Sequence, residues 1–109
     1  DWIRAGVTGG FCGQYSQIFV QALHAFGVPA RYLEIGGVAN PYNHFTSEVW
    51  SNDFDKWVLL DVAFNNYFAR DGVPLSAVEI RDALLSGRLD DVEVVLGSVR
   101  DGHPSPIDW

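Results

Sequence analysis

GGFCGQYSQIFVQALHAFGVPARYLEI, residues 9–35, contains a turn, a helix, a stop and a strand in that order. From Cys12 onward, Tyr15, Phe19, Ala22, Leu23 and Phe26 recur at helical spacing, while Gln14, Gln17, Gln21 and His24 fall on another side. The segment therefore reads as a half-buried helix. Gly27, just past the last apolar residue, and Pro29 stop it, and Gly9-Gly10 before it make a flexible turn that lets other groups come close. Ala30 to Ile35 then alternates as a strand.

Outward from this block, Gly36-Gly37 breaks the strand and Asn40-Pro41-Tyr42-Asn43 reads as a loop. His44 to Trp50 and Lys56 to Ala63 form two strands, and Ser51-Asn52-Asp53-Phe54-Asp55 has the length and polarity of the hairpin connection between them. Ser76 and Glu79 make a capping box for a second helix, with Leu75 placed to staple onto Ile80 and Gly87 to end it. Val92 to Leu96 fits either a further strand or an apolar segment docked under the sheet. Gly102-His103-Pro104-Ser105-Pro106 is an irregular tail. One helix followed by successive strands predicts an α+β fold, with the cysteine-bearing helix packed on an antiparallel sheet.

The chain has 109 residues, 48% of them hydrophobic, enough for a single domain over 1–109 with a real core. No apolar run approaches the roughly 20 residues a membrane-spanning helix needs, so membrane insertion is not expected. No leader segment is visible and there is no methionine, so the chain reads as an excised, truncated piece whose compartment is open. The net charge is −7, with eight acids against three arginines after residue 70. Without a Lys/Arg stripe to displace counterions, nucleic acid is not an expected partner, and neutral or cationic substrates suit the field better. A single cysteine excludes an internal disulfide, and the three histidines lack metal-ligand spacing, so neither a metal nor a cofactor is expected.

Cys12 stands in the first turn of its helix, where open backbone N–H groups and the positive end of the dipole favour a thiolate. The Cys12 amide would point toward an oxyanion formed there. Three histidines compete to be its base. His24 lies on the same helix, about 18 Å away at 1.5 Å per residue, and His103 lies in the tail with nothing to hold it. His44 opens a strand at a loop edge and can meet a helix N-terminus. Asp61 ends the apolar run Trp57-Val58-Leu59-Leu60, where a carboxylate is costly unless hydrogen-bonded. His44 on the neighbouring strand is a ready partner, and a cap for the turn after the strand is the structural alternative. Glu48, about 13 Å along the strand, is out of reach of His44.

Three blocks resemble the transglutaminase-like superfamily of cysteine acyltransferases and hydrolases, in its bacterial-type form. Gly10-Phe11-Cys12-Gly13-Gln14-Tyr15 with Gly27-Val28-Pro29-Ala30-Arg31-Tyr32 is similar to the family's cysteine helix and its exit into a strand. His44-Phe45-Thr46-Ser47-Glu48-Val49-Trp50 resembles the histidine strand, and Lys56-Trp57-Val58-Leu59-Leu60-Asp61 the aspartate strand. The match covers residues 9–68, and residues 70–109 supply a C-terminal helix and tail. The resemblance implies a papain-like core and a thioester on Cys12, with His44 moving the proton and Asp61 steadying His44. It also implies a peptide, protein or other amide as acyl donor. Val62 stands where the family often has proline, and a side chain completing the oxyanion hole is not identified, Trp2 having nothing to fix it. Arylamine N-acetyltransferases also place two glycines before their cysteine, but Thr8 stands where they have arginine. The alternative from another class is a non-catalytic transglutaminase-like binding or scaffolding module of a larger protein.

Overall fold

The computed structural model describes residues 11–36 and 43–97. Helix α1 (Cys12–Ala25) is followed by strands β1 (Ala30–Ile35), β2 (His44–Ser51), β3 (Lys56–Asp61), β4 (Asn66–Arg70) and β5 (Val73–Pro74), then helix α2 (Ala77–Leu85), a 3₁₀ turn (Leu89–Asp91) and strand β6 (Glu93–Leu96). All the strand pairings are antiparallel. The order runs β1-β2-β3-β4, and Ala69 of β4 pairs with Pro74 of β5 on one side and Glu93 of β6 on the other. The fold is α+β, with the cysteine helix against an antiparallel sheet.

Both helices end as their glycines dictate. Gly27 has φ of 75° and Gly87 of 70°. In each case the next amide reaches back to the third carbonyl before the cap, Val28 to Leu23 at 2.9 Å and Arg88 to Ala83 at 2.8 Å, the Schellman arrangement that left-handed backbone permits. The second helix starts at Ser76, which accepts from the Glu79 amide at 3.3 Å while Glu79 accepts from the Ser76 amide at 2.7 Å. Val92 to Leu96 resolves as a strand, Glu93–Leu96, paired with β4.

Two expectations are corrected. The first concerns the buried face of α1. Ser16 and Val20 are its buried residues, whereas Tyr15 and Phe26 are exposed, Phe26 at 85%. Cys12, Ser16, Val20 and His24 recur every fourth residue. Ser16 donates to the Phe45 carbonyl at 3.1 Å, and the ring Nε2 of His24 lies 2.7 Å from the Ala30 carbonyl. Small residues let the helix approach the sheet more closely than its aromatics would, so the buried stripe centres on Ser16 and Val20, while Phe19 and Leu23 of the expected face are half-buried and Gln14, Gln17, Gln21 and His24 are exposed. The second concerns the third strand, which stops at Asp61, where Val62 to Asn65 turn into an unexpected strand, β4. The hairpin leaving β4 has a legible signal: Asp71 (φ 50°) and Gly72 (φ 77°) are the Asp-Gly pair that a two-residue turn with left-handed backbone demands.

The sheet buries polar residues along with apolar ones. Val58, Leu59 and Ala69 sit beside Thr46, Ser47 and Glu48, each of the last three no more than 1% exposed. Ser47 donates to the Leu60 carbonyl at 2.7 Å. Glu48 splits its carboxylate between the Arg31 guanidinium and the Ala77 amide, the latter at 2.7 Å. Arg31 faces Glu48 directly in the β1–β2 register and lies 4.2 Å over the Trp57 ring. One buried carboxylate thus ties together β1, β2 and the start of α2. Within the described residues, no helix is long and apolar enough to cross a membrane. The loop expected at 40–43, apart from Asn43, lies outside those residues, as do Gly9, Gly10, Trp2 and the tail at 102–106.

Candidate active site

Asp61 closes β3 and is 7% exposed. Its two oxygens have separate tasks. Oδ2 lies 2.5 Å from the Nε2 of His44, and Oδ1 accepts the Phe64 amide at 3.2 Å. The carboxylate therefore holds the histidine and also caps the turn after the strand. Ser47 pairs with Leu60, which puts Thr46 opposite Asp61 and makes His44 the diagonal neighbour of Asp61 on the same face of the sheet. Phe64, whose amide Asp61 holds, stacks its ring 5.0 Å from that of His44 at a tilt of 44°. The imidazole is only 18% exposed between carboxylate and aromatic cover. The contact with the carboxylate through Nε2 fixes the orientation of the ring.

Cys12 is the first residue of α1 and is partly buried. The residue before it, Phe11, is the N-cap and offers no side-chain acceptor; instead the Gln14 side chain reaches back to the Phe11 amide at 2.9 Å. Gln14 and Tyr15 donate their amides to the Phe11 carbonyl at 3.0 and 3.2 Å. The amides of Cys12 and Gly13 remain directed outward from the helix start, as the geometry of a first turn requires.

Gly13 explains what the helix start rests against. A side chain there would meet the Tyr32 hydroxyl at 3.0 Å and the Phe45 ring at 3.5 Å. Tyr32 and Phe45 stack at 5.1 Å and 14°. Desolvation, then the negative charges of Cys12 and Glu34, push the Tyr32 phenol above its ordinary range, so at neutral pH it is a hydrogen-bond donor.

Of the three residues expected at the site, His44 and Asp61 are hydrogen-bonded to each other. Among the described residues Cys12 makes no hydrogen bond to either. Strand alternation sets His44 on the face of Glu48, whereas Phe45, which the start of α1 touches, points to the other. His44 is the first residue of β2, so imidazole and helix start lie at the same end of the strand. His24 is tied to Ala30 and takes no part; His103 and Trp2 lie outside the described residues.

A cavity of about 220 Å³ adjoins Asp61, walled by Phe19, Leu60, Val62, Asn66 and Tyr67. It is smaller than the pocket of a drug-sized ligand and has room for one side chain. The Oδ1 of Asn66 is buried with no partner among the described residues. These residues contain no group of three His, Cys, Asp or Glu side chains able to hold a metal. Sequence reasoning missed Tyr32 and Asn66. Tyr32 lay in the quoted motif, but its approach to Gly13 depends on packing between elements. Asn66 lies in the strand that was not foreseen.

The family model described as the transglutaminase-like superfamily matches residues 3–62, a span that contains Cys12, His44 and Asp61. No curated protein and no solved structure matches the chain.

Proposed function

The chain belongs to the transglutaminase-like superfamily, and from that premise we propose that it performs thiol-dependent acyl transfer or amide hydrolysis, with Cys12 as nucleophile, His44 as proton carrier and Asp61 as orienting carboxylate. The observation that carries this reading is the short His44–Asp61 hydrogen bond, in a chain whose single cysteine opens a helix against the same sheet.

Each step uses groups already described. Asp61 orients the ring through Nε2, and the imidazole of His44 takes the thiol proton. The thiolate attacks the acyl carbon, forming the C–S bond as the carbonyl π pair moves onto oxygen. When that oxygen re-forms the carbonyl, the C–N bond breaks and the leaving amine takes the proton from His44. A thioester remains, and water or a second amine resolves it. The imidazolium that forms midway lies against the Asp61 carboxylate, which offsets its charge. Cys12 and His44 are not hydrogen-bonded in the resting chain, so proton transfer requires the helix start and the first residue of β2 to close on each other. Catalytic hydrogen bonds commonly tighten in this way when substrate binds. The substrate class is a peptide, protein or related amide, and the net charge of −7 favours neutral or cationic donors.

The test pairs two measurements. Alkylation of Cys12 by iodoacetamide at pH 7 is expected to slow about tenfold or more in His44→Ala. Mass spectrometry after incubation with an activated ester is expected to show one acyl adduct on Cys12. Equal alkylation in the two proteins, with no adduct, would leave the fold as a binding module.

A further inference from the structure

Tyr32 is the polar side chain that the fold brings against the first turn of α1. Its hydroxyl lies 3.0 Å from the position a Gly13 Cβ would occupy, and only the absence of that Cβ lets it come so close. Its ring is held flat on Phe45. The phenol stays protonated for the reasons given above. The hydroxyl is thus an O–H donor set beside the first helical turn, which also carries the Cys12 amide. That region is where negative charge appears when a thiolate adds to a carbonyl.

We propose that Tyr32 is a catalytic residue whose hydroxyl donates to the acyl oxygen at Cys12, completing with the Cys12 amide the oxyanion hole of the acyl-transfer reaction; this rests on the reading of the previous subsection. The donor hydrogen bond strengthens as the carbonyl π pair moves onto oxygen, and no proton leaves Tyr32. Gly13 has a matching role, keeping the space through which the hydroxyl reaches the helix.

Tyr32→Phe keeps the ring and its stack and removes only the hydroxyl. Acylation of Cys12 by an activated ester, followed by stopped mass spectrometry, is expected to slow about 100- to 1,000-fold, the usual loss for one oxyanion donor. Alkylation by iodoacetamide, which forms no oxyanion, is expected to stay within about threefold. The backbone amides are unchanged, and an unaltered urea midpoint checks that the fold persists. Gly13→Ala supplies a second arm: it crowds the hydroxyl and is expected to slow acylation of the parent chain, yet to add little in the Tyr32→Phe background. Acylation that is equal in parent and Tyr32→Phe overturns the role of Tyr32 and leaves Cys12 as nucleophile. Equal slowing of acylation and alkylation also overturns it, because the hydroxyl then acts on the sulfur. Absence of any acyl adduct in the parent chain overturns both readings.

Discussion

At the scale of single residues, the division of labour in Asp61 joins the proposed chemistry to the fold. One oxygen orients His44 and the other caps the turn that carries Phe64 over the imidazole. Asp61→Asn retains the shape and an acceptor for the Phe64 amide but removes the charge. Acylation of Cys12 is expected to fall about 100-fold or more, while the urea midpoint moves only slightly. A large stability loss with unchanged chemistry would reduce Asp61 to its capping role. The partnership was legible in the sequence because a carboxylate at the end of Trp57-Val58-Leu59-Leu60 has few ways to satisfy itself. Tyr32 and Gly13 were not legible in the same way. A glycine inside a helix and a tyrosine on an edge strand are each ordinary, and only their tertiary approach gives them meaning.

At the scale of elements, Glu48 and Glu79 fix α2 by different means. Glu48 is buried, with Arg31 and the first amide of α2 as its partners. Arg31→Met removes the compensating charge and leaves the carboxylate in place, and is expected to cost about 3 kcal/mol of unfolding free energy in urea titrations. A loss under about 1 kcal/mol would show that the Ala77 amide suffices. Glu79 is half-exposed on the helix and bonds Lys56 at 2.5 Å. Burial pushes its carboxyl up, but the hydrogen bonds from Lys56 and from the Ser76 amide and hydroxyl, with the Lys56 charge, together hold it below its ordinary value. A carboxyl lowered in the folded state contributes stability above its unfolded value, near 4.5, and loses it as pH falls through the lower folded value. The urea midpoint of the parent chain should therefore exceed that of Glu79→Gln at pH 7 and converge with it under more acid conditions. Persistence of the gap in acid would refute the assignment. The capping box at Ser76 and both glycine stops were legible because local geometry sets them. Strand β4 was not, because Asn66-Tyr67-Phe68-Ala69-Arg70 is short and does not alternate cleanly. The Asp71-Gly72 turn after it was the signal to have used.

At the scale of the whole molecule, the apolar residues that α1 turns away from the sheet make a separate statement about packing. Ile18 is 62% and Phe26 85% exposed. Changing both to Glu is expected to shift the unfolding free energy by less than about 0.5 kcal/mol, as for surface positions generally. A larger loss would mean that chain outside the described residues covers them. The α+β architecture itself was readable from the order of helix, turns and strands, whereas the orientation of α1 was set by close contact at Gly13 and Ser16, which hydropathy does not record. The helix also begins at Phe11, whose side chain cannot accept a hydrogen bond. Phe11→Ser would offer the Gly13 amide an acceptor and is expected to stabilise the protein by about 1 kcal/mol, read by urea unfolding. The same change would quench part of the positive field beside the sulfur and slow its acylation several-fold. Under the acyl-transfer proposal, robustness and reactivity compete for the same backbone hydrogens, and the aromatic at position 11 favours reactivity.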